Sequence, residues 1–182
     1  MKRLLTLTVV AAMLLGATSC KKDRNDAGTD DPAAASGTIR INDRSETIHG
    51  VYYLEEPADI ETGKTVGMLI LGPEGAPGAV EPEFYLSFEL SETLCGQTID
   101  LSRPLDTQTR PLPYLYISAR NGSERFSVDY DEDSIAEVVT EGSLTVNRDG
   151  DRFDIRISLD CADGNSLRME WTGSAVRLNA PL

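Results

Sequence analysis

Apolar and polar side chains alternate strictly near the C-terminus of this chain, and that alternation constrains its fold more than any other feature. The apolar positions are Phe153, Ile155, Ile157, Leu159 and Cys161. The polar positions between them are Asp154, Arg156, Ser158 and Asp160. Because successive side chains of a β-strand point to opposite faces, the pattern predicts a half-buried strand with its apolar face on a core.

The segments on either side of this strand carry the same signal. Residues 143–147 precede it across Asp149-Gly150, and the alternating residues 167–172 follow it across Asp163-Gly164. Asp-Gly is a frequent hairpin turn, because glycine adopts the positive φ that such tight turns need. The pattern therefore predicts a three-stranded antiparallel meander over residues 143–178.

Shorter strand patterns fill the chain upstream of the meander. Residues 38–42 and 46–54 predict a first hairpin across Asp43-Arg44, while residues 66–71 are apolar on both faces and indicate a central strand covered on both sides. The remaining alternating segments are residues 84–90, 114–119 and 126–130. About eight to ten short antiparallel strands predict an all-β domain, with a β-sandwich as the favoured architecture and a lipocalin-like β-barrel as the alternative.

The N-terminal end of the chain has a different character. The basic pair Lys2-Arg3 precedes the largely apolar residues 4–15, which are followed by the small residues 16–19 and by Cys20. Such an apolar run is shorter than the about 20 residues of a spanning helix, and it fits the centre of a signal peptide. The arrangement resembles the signal peptide and lipobox of bacterial outer-membrane lipoproteins. An ordinary secretory leader, in which Cys20 has no special role, is the alternative.

The resemblance implies that residues 1–19 are removed and that Cys20 carries fatty acyl chains such as palmitate, which anchor the protein in the outer membrane. Residues 20–37 contain no aromatic residue and no Val, Ile or Leu. They predict a disordered tether with a span of roughly 25 Å, followed by a single all-β domain over residues 38–182. The charged residues after Cys20 partly resemble the export signal of surface lipoproteins. Display at the cell surface is therefore expected, with the periplasmic face of the membrane as the alternative.

Acidic residues strongly outnumber basic ones. The 17 Lys+Arg and 30 Asp+Glu give a formal net charge of −13, and loss of Lys2 and Arg3 with the leader would leave 15 against 30, or −15. A chain with this charge repels phosphate backbones, so nucleic acid is excluded as a partner. We expect membrane attachment to depend on Cys20 alone.

Two cysteines, Cys95 and Cys161, lie within the domain. A disulfide between them would close a loop of about 66 residues and would stabilise the fold by roughly 4 kcal/mol in the chain-entropy model. Two buried free thiols are the alternative that we favour, because Cys161 lies on the apolar face of its strand. No metal site is predicted, since His49 is the only histidine and the cysteine spacing matches no zinc pattern.

The sequence contains no nucleophile elbow, phosphate-binding loop or metalloprotease helix. It therefore predicts a non-enzymatic protein without a cofactor. A hydrolase with paired carboxylates is a further hypothesis, but the 30 acidic residues single out no pair. Asp133-Ser134-Ile135 resembles the O-glycosylation acceptor of exported bacterial proteins, which implies a sugar on Ser134. A helix cap at Ser134 is the alternative.

Tyr114 and Tyr116 are the most suggestive binding residues. They lie two positions apart and opposite Leu115 and Ile117, so they share one face of their strand. If Leu115 and Ile117 face the core, the tyrosines form an exposed aromatic row suited to carbohydrate. Cross-strand packing, or cover by a loop such as residues 72–83, is the alternative that we favour. We expect an accessory or binding lipoprotein with a glycan or protein partner, or else a lipocalin-like carrier of a small apolar ligand.

Overall fold

The computed structural model of the chain describes residues 36–59, 63–72, 82–105, 113–130 and 138–178. The leader, Cys20, most of the tether and Ser134 lie outside these residues, so what was predicted for them stays a prediction. The strands are β1 Ser36–Ile41, β2 Arg44–Thr47, β3 Gly50–Asp59, β4 Gly63–Leu71, β5 Phe84–Ser91, β6 Thr98–Asp100, β7 Leu115–Asn121, β8 Glu124–Asp129, β9 Val139–Asp149, β10 Arg152–Cys161, β11 Ser166–Ser174 and β12 Val176–Arg177. A short 3-10 helix, Glu92–Leu94, follows β5.

The strands form two six-stranded sheets that face each other. The first sheet has the order β2-β1-β11-β10-β9-β6 and is antiparallel. The second has the order β12-β3-β4-β5-β7-β8 and is antiparallel except for β12, which runs parallel to β3. Each sheet keeps two edges of its own, so the structure is not closed into a barrel. The β-sandwich is confirmed, and the barrel alternative is wrong.

The C-terminal meander is confirmed as β9, β10 and β11. In β10 the five apolar side chains predicted to face a core are all buried. Gly150 and Gly164 occupy the turns at either end of β10 with φ of 62° and 90°, a conformation that glycine adopts without steric cost. The meander ends sooner than predicted, because the chain leaves the first sheet after Ser174 and β12 joins the second.

The predicted first hairpin is only partly correct. β1 and β2 pair as expected, but the strand predicted over residues 46–54 is divided between the two sheets, with β2 in the first and β3 in the second. Both Ile48 and Val51 are buried, and their spacing of three residues breaks the strand period where the chain crosses. The turn also comes earlier, since Asn42 has a φ of 55° and provides the left-handed residue.

The strands of the second sheet run across those of the first. Along β3, the ring of Tyr53 lies 5.1 Å from that of Phe153 in β10. Two residues further on, Glu55 pairs with Arg148 in the next strand of the first sheet, β9. β3 therefore passes over both β10 and β9 of the first sheet, as expected for packed sheets whose strands cross.

β8 crosses the opposite end of the first sheet. Glu124, its first residue, accepts a hydrogen bond of 3.0 Å from Asn42 in the β1–β2 turn. Tyr130, just beyond its last residue, donates a hydrogen bond of 3.0 Å to the carbonyl of Leu101, which follows β6 at the far edge. The interior between the sheets is filled. Its largest fully buried side chains are Phe88, Phe153, Ile39, Ile41, Ile70, Leu86, Leu90, Leu101, Leu115, Ile117 and Leu144.

Strand β4 occupies a central position in the second sheet, as predicted, but its two faces are buried unequally. Val66, Met68 and Ile70 face the core, whereas Leu69 and Leu71 on the outward face are half-buried. Across the described ranges, none of the helical segments is both long and apolar enough to span a membrane.

Candidate functional site

The two tyrosines singled out from the sequence do not form an exposed pair. Tyr114 lies just before β7 and is only 7% exposed. Its N–H donates to the Ser91 hydroxyl at 2.8 Å, and its carbonyl accepts from the Ser91 N–H at 2.8 Å, which ties it to the end of β5. Tyr116 is half-buried on the outward face, between Glu89 of β5 and Asp129 of β8. The exposed row is therefore wrong for Tyr114, and a binding role for Tyr116 stays a prediction.

Cys95 and Cys161 are both free thiols. Cys161 is 8% exposed, and burial raises its pKa to about 11. Cys95 is half-buried against the core, and burial also raises the pKa of this thiol. Because the thiolate is the reactive form, both side chains have the character of inert core residues.

A cleft of about 190 Å³ opens at one edge of the sandwich. Three segments meet there: the crossing from β2 to β3, the end of β11 and the start of β12. Its lining consists of Ile48, His49, Gly50, Val51, Tyr52, Trp171, Ser174 and Val176. The chain changes sheets at both places, so this edge cleft marks the seam at which the two sheets are joined.

Two glycines allow aromatic rings to approach the backbone beside the edge cleft. A Cβ added to Gly50 would lie 2.8 Å from Cε2 of Tyr52, so the phenol ring rests on Gly50. A Cβ added to Gly37 would lie 2.8 Å from Cδ1 of Trp171. Cδ1 is bonded to the indole nitrogen, so the ring edge that carries the only donor of Trp171 lies beside Gly37.

The polar groups around the edge cleft are accessible to solvent, since His49 and Ser174 are exposed and Tyr52 is half-buried. The Tyr52 hydroxyl, the His49 imidazole, the Ser174 hydroxyl and the indole N–H form no hydrogen bond with any residue that the structure describes. Together they offer both donors and acceptors. Apolar surface lies among them, including Val176, which is 57% exposed. A few convergent polar groups on an apolar lining are typical of a ligand site.

A shallower and more open groove adjoins the edge cleft. It has a volume of about 460 Å³ and is lined by Gly37, Thr38, Glu170, Trp171 and Thr172. Gly37 and Thr38 of β1 stand directly opposite Trp171 and Glu170 of β11. Trp171 lines both depressions, so we treat them as one site with an aromatic end and a polar end.

An ion cluster holds β12, one wall of the edge cleft, in place. Glu55 of β3 pairs with both Arg148 of β9 and Arg177 of β12. The Arg148 guanidinium also lies 5.0 Å from the ring centroid of Tyr53, close enough for a cation–π interaction. The hydrogen bond from Arg148, with the charges of both arginines, holds the pKa of Glu55 below its usual range. The cluster therefore joins three strands from both sheets beside Val176.

The described carboxyl groups bear on the hydrolase hypothesis through their pKa values. Two of them have a shifted pKa, Glu55 and Asp100, and both pKa values are lowered. For Asp100 the cause is hydrogen bonding from the hydroxyl and N–H of Ser102. A carboxylic general acid instead needs a raised pKa. Within the described ranges, no cluster of three or more His, Cys, Asp or Glu side chains could hold a metal ion.

Sequence reasoning missed the edge cleft because its residues come from distant parts of the chain. Trp171 and Tyr52 follow ordinary strand patterns, and His49 reads as an edge-strand residue. One signal was available, since Gly50 interrupts a predicted strand and Gly37 directly precedes one, and a glycine in such a place can mark a close approach to the backbone. The glycines alone do not indicate which aromatic side chain packs against the backbone.

Comparisons of the chain with protein-family models, with curated proteins and with solved structures find no match.

Proposed function

We propose that this protein is a lipid-anchored, non-enzymatic binding module of the cell envelope, and that the edge cleft is its binding site. Acylated Cys20 holds it in the outer membrane, with the cell surface favoured over the periplasmic face. The tether then carries the β-sandwich away from the head groups, so that the domain meets its glycan or protein partner in water.

The observation that carries this proposal is the set of unused polar groups at the edge cleft. Tyr52, His49, Ser174 and Trp171 each bring a donor or acceptor with no partner among the described residues. These groups are accessible to a ligand that enters the cleft, and a few convergent polar groups on an apolar lining are typical of a ligand site.

A binding function is favoured over a lipocalin-like carrier and over a hydrolase. The interior is packed with apolar side chains, which leaves no room there for the ligand of a lipocalin-like carrier. The carboxyl groups with shifted pKa values have them lowered, which does not suit a general acid. The net charge of −15 after loss of Lys2 and Arg3 (15 basic against 30 acidic residues) disfavours nucleic acid.

The anchor is tested by fractionation of cells that produce the full-length chain. We expect wild-type protein in the outer-membrane fraction and Cys20→Ser protein in the soluble fraction, because acyl chains supply about 0.8 kcal/mol for each buried CH₂ group. Unchanged membrane association of the Cys20→Ser variant would contradict the anchor. Antibody labelling of intact cells then separates the cell surface from the periplasmic face.

The binding site is tested separately, with envelope polysaccharide and envelope protein fractions as probes. Trp171 is the only tryptophan, so fluorescence excited at a wavelength that tyrosine does not absorb reports on the edge cleft and the adjoining groove. We expect a saturable change with one of the fractions and its loss in Ser174→Arg, which fills the cleft. Ser143→Arg, an exposed serine on β9, is the matched control and should behave as wild type. Equal binding by Ser174→Arg would refute the site.

A further inference from the structure

We infer that the edge cleft receives the terminal sugar ring of a neutral glycan, and that the adjoining groove receives the next part of the glycan chain. This inference rests on the proposed function and names the ligand class of the same site.

Size limits the ligand first. Pockets for drug-sized molecules have volumes of about 300–1,000 Å³, and the edge cleft, at about 190 Å³, is smaller. It therefore accommodates a single ring or a side chain rather than a whole cofactor. The groove beside it, at about 460 Å³, is open and leads away past Trp171. A ligand whose terminal ring lies in the cleft and whose chain continues along the groove would contact both depressions.

The polar groups exclude a purely apolar ligand. Such a ligand would remove the Tyr52 hydroxyl, the Ser174 hydroxyl and the Trp171 N–H from water without offering them a hydrogen bond. Each buried, unsatisfied group costs about 1–3 kcal/mol. The ligand therefore needs hydroxyl or amide groups of its own, and it also needs an apolar face to lie against Val176 and the half-buried ring of Tyr52.

Charge excludes most ionic ligands. The groove carries the Glu170 carboxylate, and the chain is strongly acidic, so an anionic ligand meets repulsion. For a metal cation, one carboxylate is too few, and no metal-holding cluster occurs in the described part of the chain. A neutral polyhydroxylated ring meets both requirements, because its C–H face is apolar and its rim is polar.

The groove suits the continuation of such a ligand. Thr38 and Thr172 bring hydroxyl groups that donate and accept, and the Glu170 carboxylate accepts hydrogen bonds from sugar hydroxyls. Thr38 and Glu170 are cross-strand partners on the exposed face of the first sheet, so they present their polar groups side by side. The edge cleft therefore offers the ligand aromatic rings and the indole N–H, and the groove offers it hydroxyl groups and a carboxylate.

The experiment titrates the detergent-solubilised full-length chain with neutral oligosaccharides ending in glucose, galactose or mannose, with uronic-acid oligosaccharides and with a peptide library, using Trp171 fluorescence. We expect at least one neutral oligosaccharide to bind. Tyr52→Phe should weaken its binding about 5- to 10-fold, the equivalent of one hydrogen bond of about 1–1.5 kcal/mol. Tyr85→Phe changes another half-buried tyrosine of the same sheet, which lines neither the cleft nor the groove, and should bind as wild type.

A failure of the glycan assignment and a failure of the proposed binding function give different results. If a peptide binds and Tyr52→Phe weakens that binding, the ligand is not a neutral glycan, but the protein is still a binding module. The same conclusion follows if only the uronic-acid probes bind. Cleavage of an oligosaccharide, seen by mass spectrometry, would overturn the non-enzymatic function. Neutral glycan binding that Tyr52→Phe and Ser174→Arg leave unchanged would overturn the site. Thermal melting of each variant identifies any loss of affinity that is due to unfolding.

Discussion

Gly37 faces Trp171 directly across the β1–β11 pair, at a distance that only glycine permits. A Cβ on Gly37 would lie 2.8 Å from Cδ1 of the indole and 2.6 Å from the carbonyl oxygen of Glu170. The first of these atoms belongs to a buried ring and the second to the backbone, so neither can move away cheaply. This contact fixes the indole edge between the edge cleft and its groove.

Gly37→Ala should therefore destabilise the domain by about 1–3 kcal/mol, the usual cost of overpacking a core. Urea unfolding followed by Trp171 fluorescence measures the change. Gly67→Ala in β4 is the control, because its Cβ would meet only the Leu54 carbonyl oxygen, at 3.9 Å. Its free energy of unfolding should stay within about 0.5 kcal/mol of wild type. An equal loss in both variants would show that the clash at Gly37 is not the cause.

Two buried serines of β5 should respond in opposite ways to loss of the hydroxyl. Ser91→Ala should cost about 1–3 kcal/mol of unfolding free energy, because it leaves the buried N–H of Tyr114 without its acceptor. Ser87→Ala should be neutral or stabilising, because the buried Ser87 hydroxyl has no hydrogen-bond partner among the described residues. Chemical denaturation of both variants makes the comparison, and a larger loss for Ser87→Ala would contradict it.

The Glu55 cluster should make stability depend on pH. The pKa of Glu55 is lowered in the folded state, so its contribution is fully present above the ordinary value of 4.5 and is lost as the pH falls through the folded-state pKa. Glu55→Gln should thus lose about 1 kcal/mol at pH 7, and the difference from wild type should shrink below pH 4.5. Urea unfolding at pH 7 and at acid pH measures it.

Glu56→Gln is the matched control for this prediction. Glu56 is the next residue of the same strand and forms no ion pair with a described residue. Its stability should follow that of wild type at every pH. A Glu55→Gln profile that runs parallel to wild type down to the acid range would contradict the role of the cluster.

The two core thiols should react slowly in the folded protein. In a Cys20→Ser background, a maleimide at pH 8 should label Cys95 faster than Cys161, because Cys95 is half-buried and Cys161 is buried with a pKa of about 11. Both should react fully in denaturant without a reductant. A failure of unfolded, unreduced protein to react would reveal a disulfide and contradict the free thiols.

Local periodicity was enough to predict the sheet structure but not the site. The alternation of residues 153–161 predicted the buried face of β10, and Asp-Gly turns predicted its neighbours. The division of the first hairpin was missed. The three-residue spacing of Ile48 and Val51 marks a crossing only when it is known that the chain passes from one sheet to the other there. The exposed row was left open for Tyr114 for a similar reason, since its hydrogen-bond partner Ser91 is 23 residues away in sequence.

The edge cleft illustrates the same limit. Gly37, Tyr52 and Trp171 come together only because the chain crosses between the sheets near each of its ends. No pattern within one segment contains that information. The sequence does contain the two glycines that these contacts require, Gly37 opposite Trp171 and Gly50 two residues before Tyr52.

The indole N–H resonance of Trp171 in a ¹⁵N-correlated NMR spectrum reports whether the ligand lies in the edge cleft. The chain has one tryptophan, so this signal is unambiguous. Titration with the neutral oligosaccharides should shift it saturably in wild type and in Tyr85→Phe, and more weakly in Tyr52→Phe. An indole resonance that stays in place while an oligosaccharide binds would show that the ligand lies elsewhere, and it would contradict the edge cleft as the binding site.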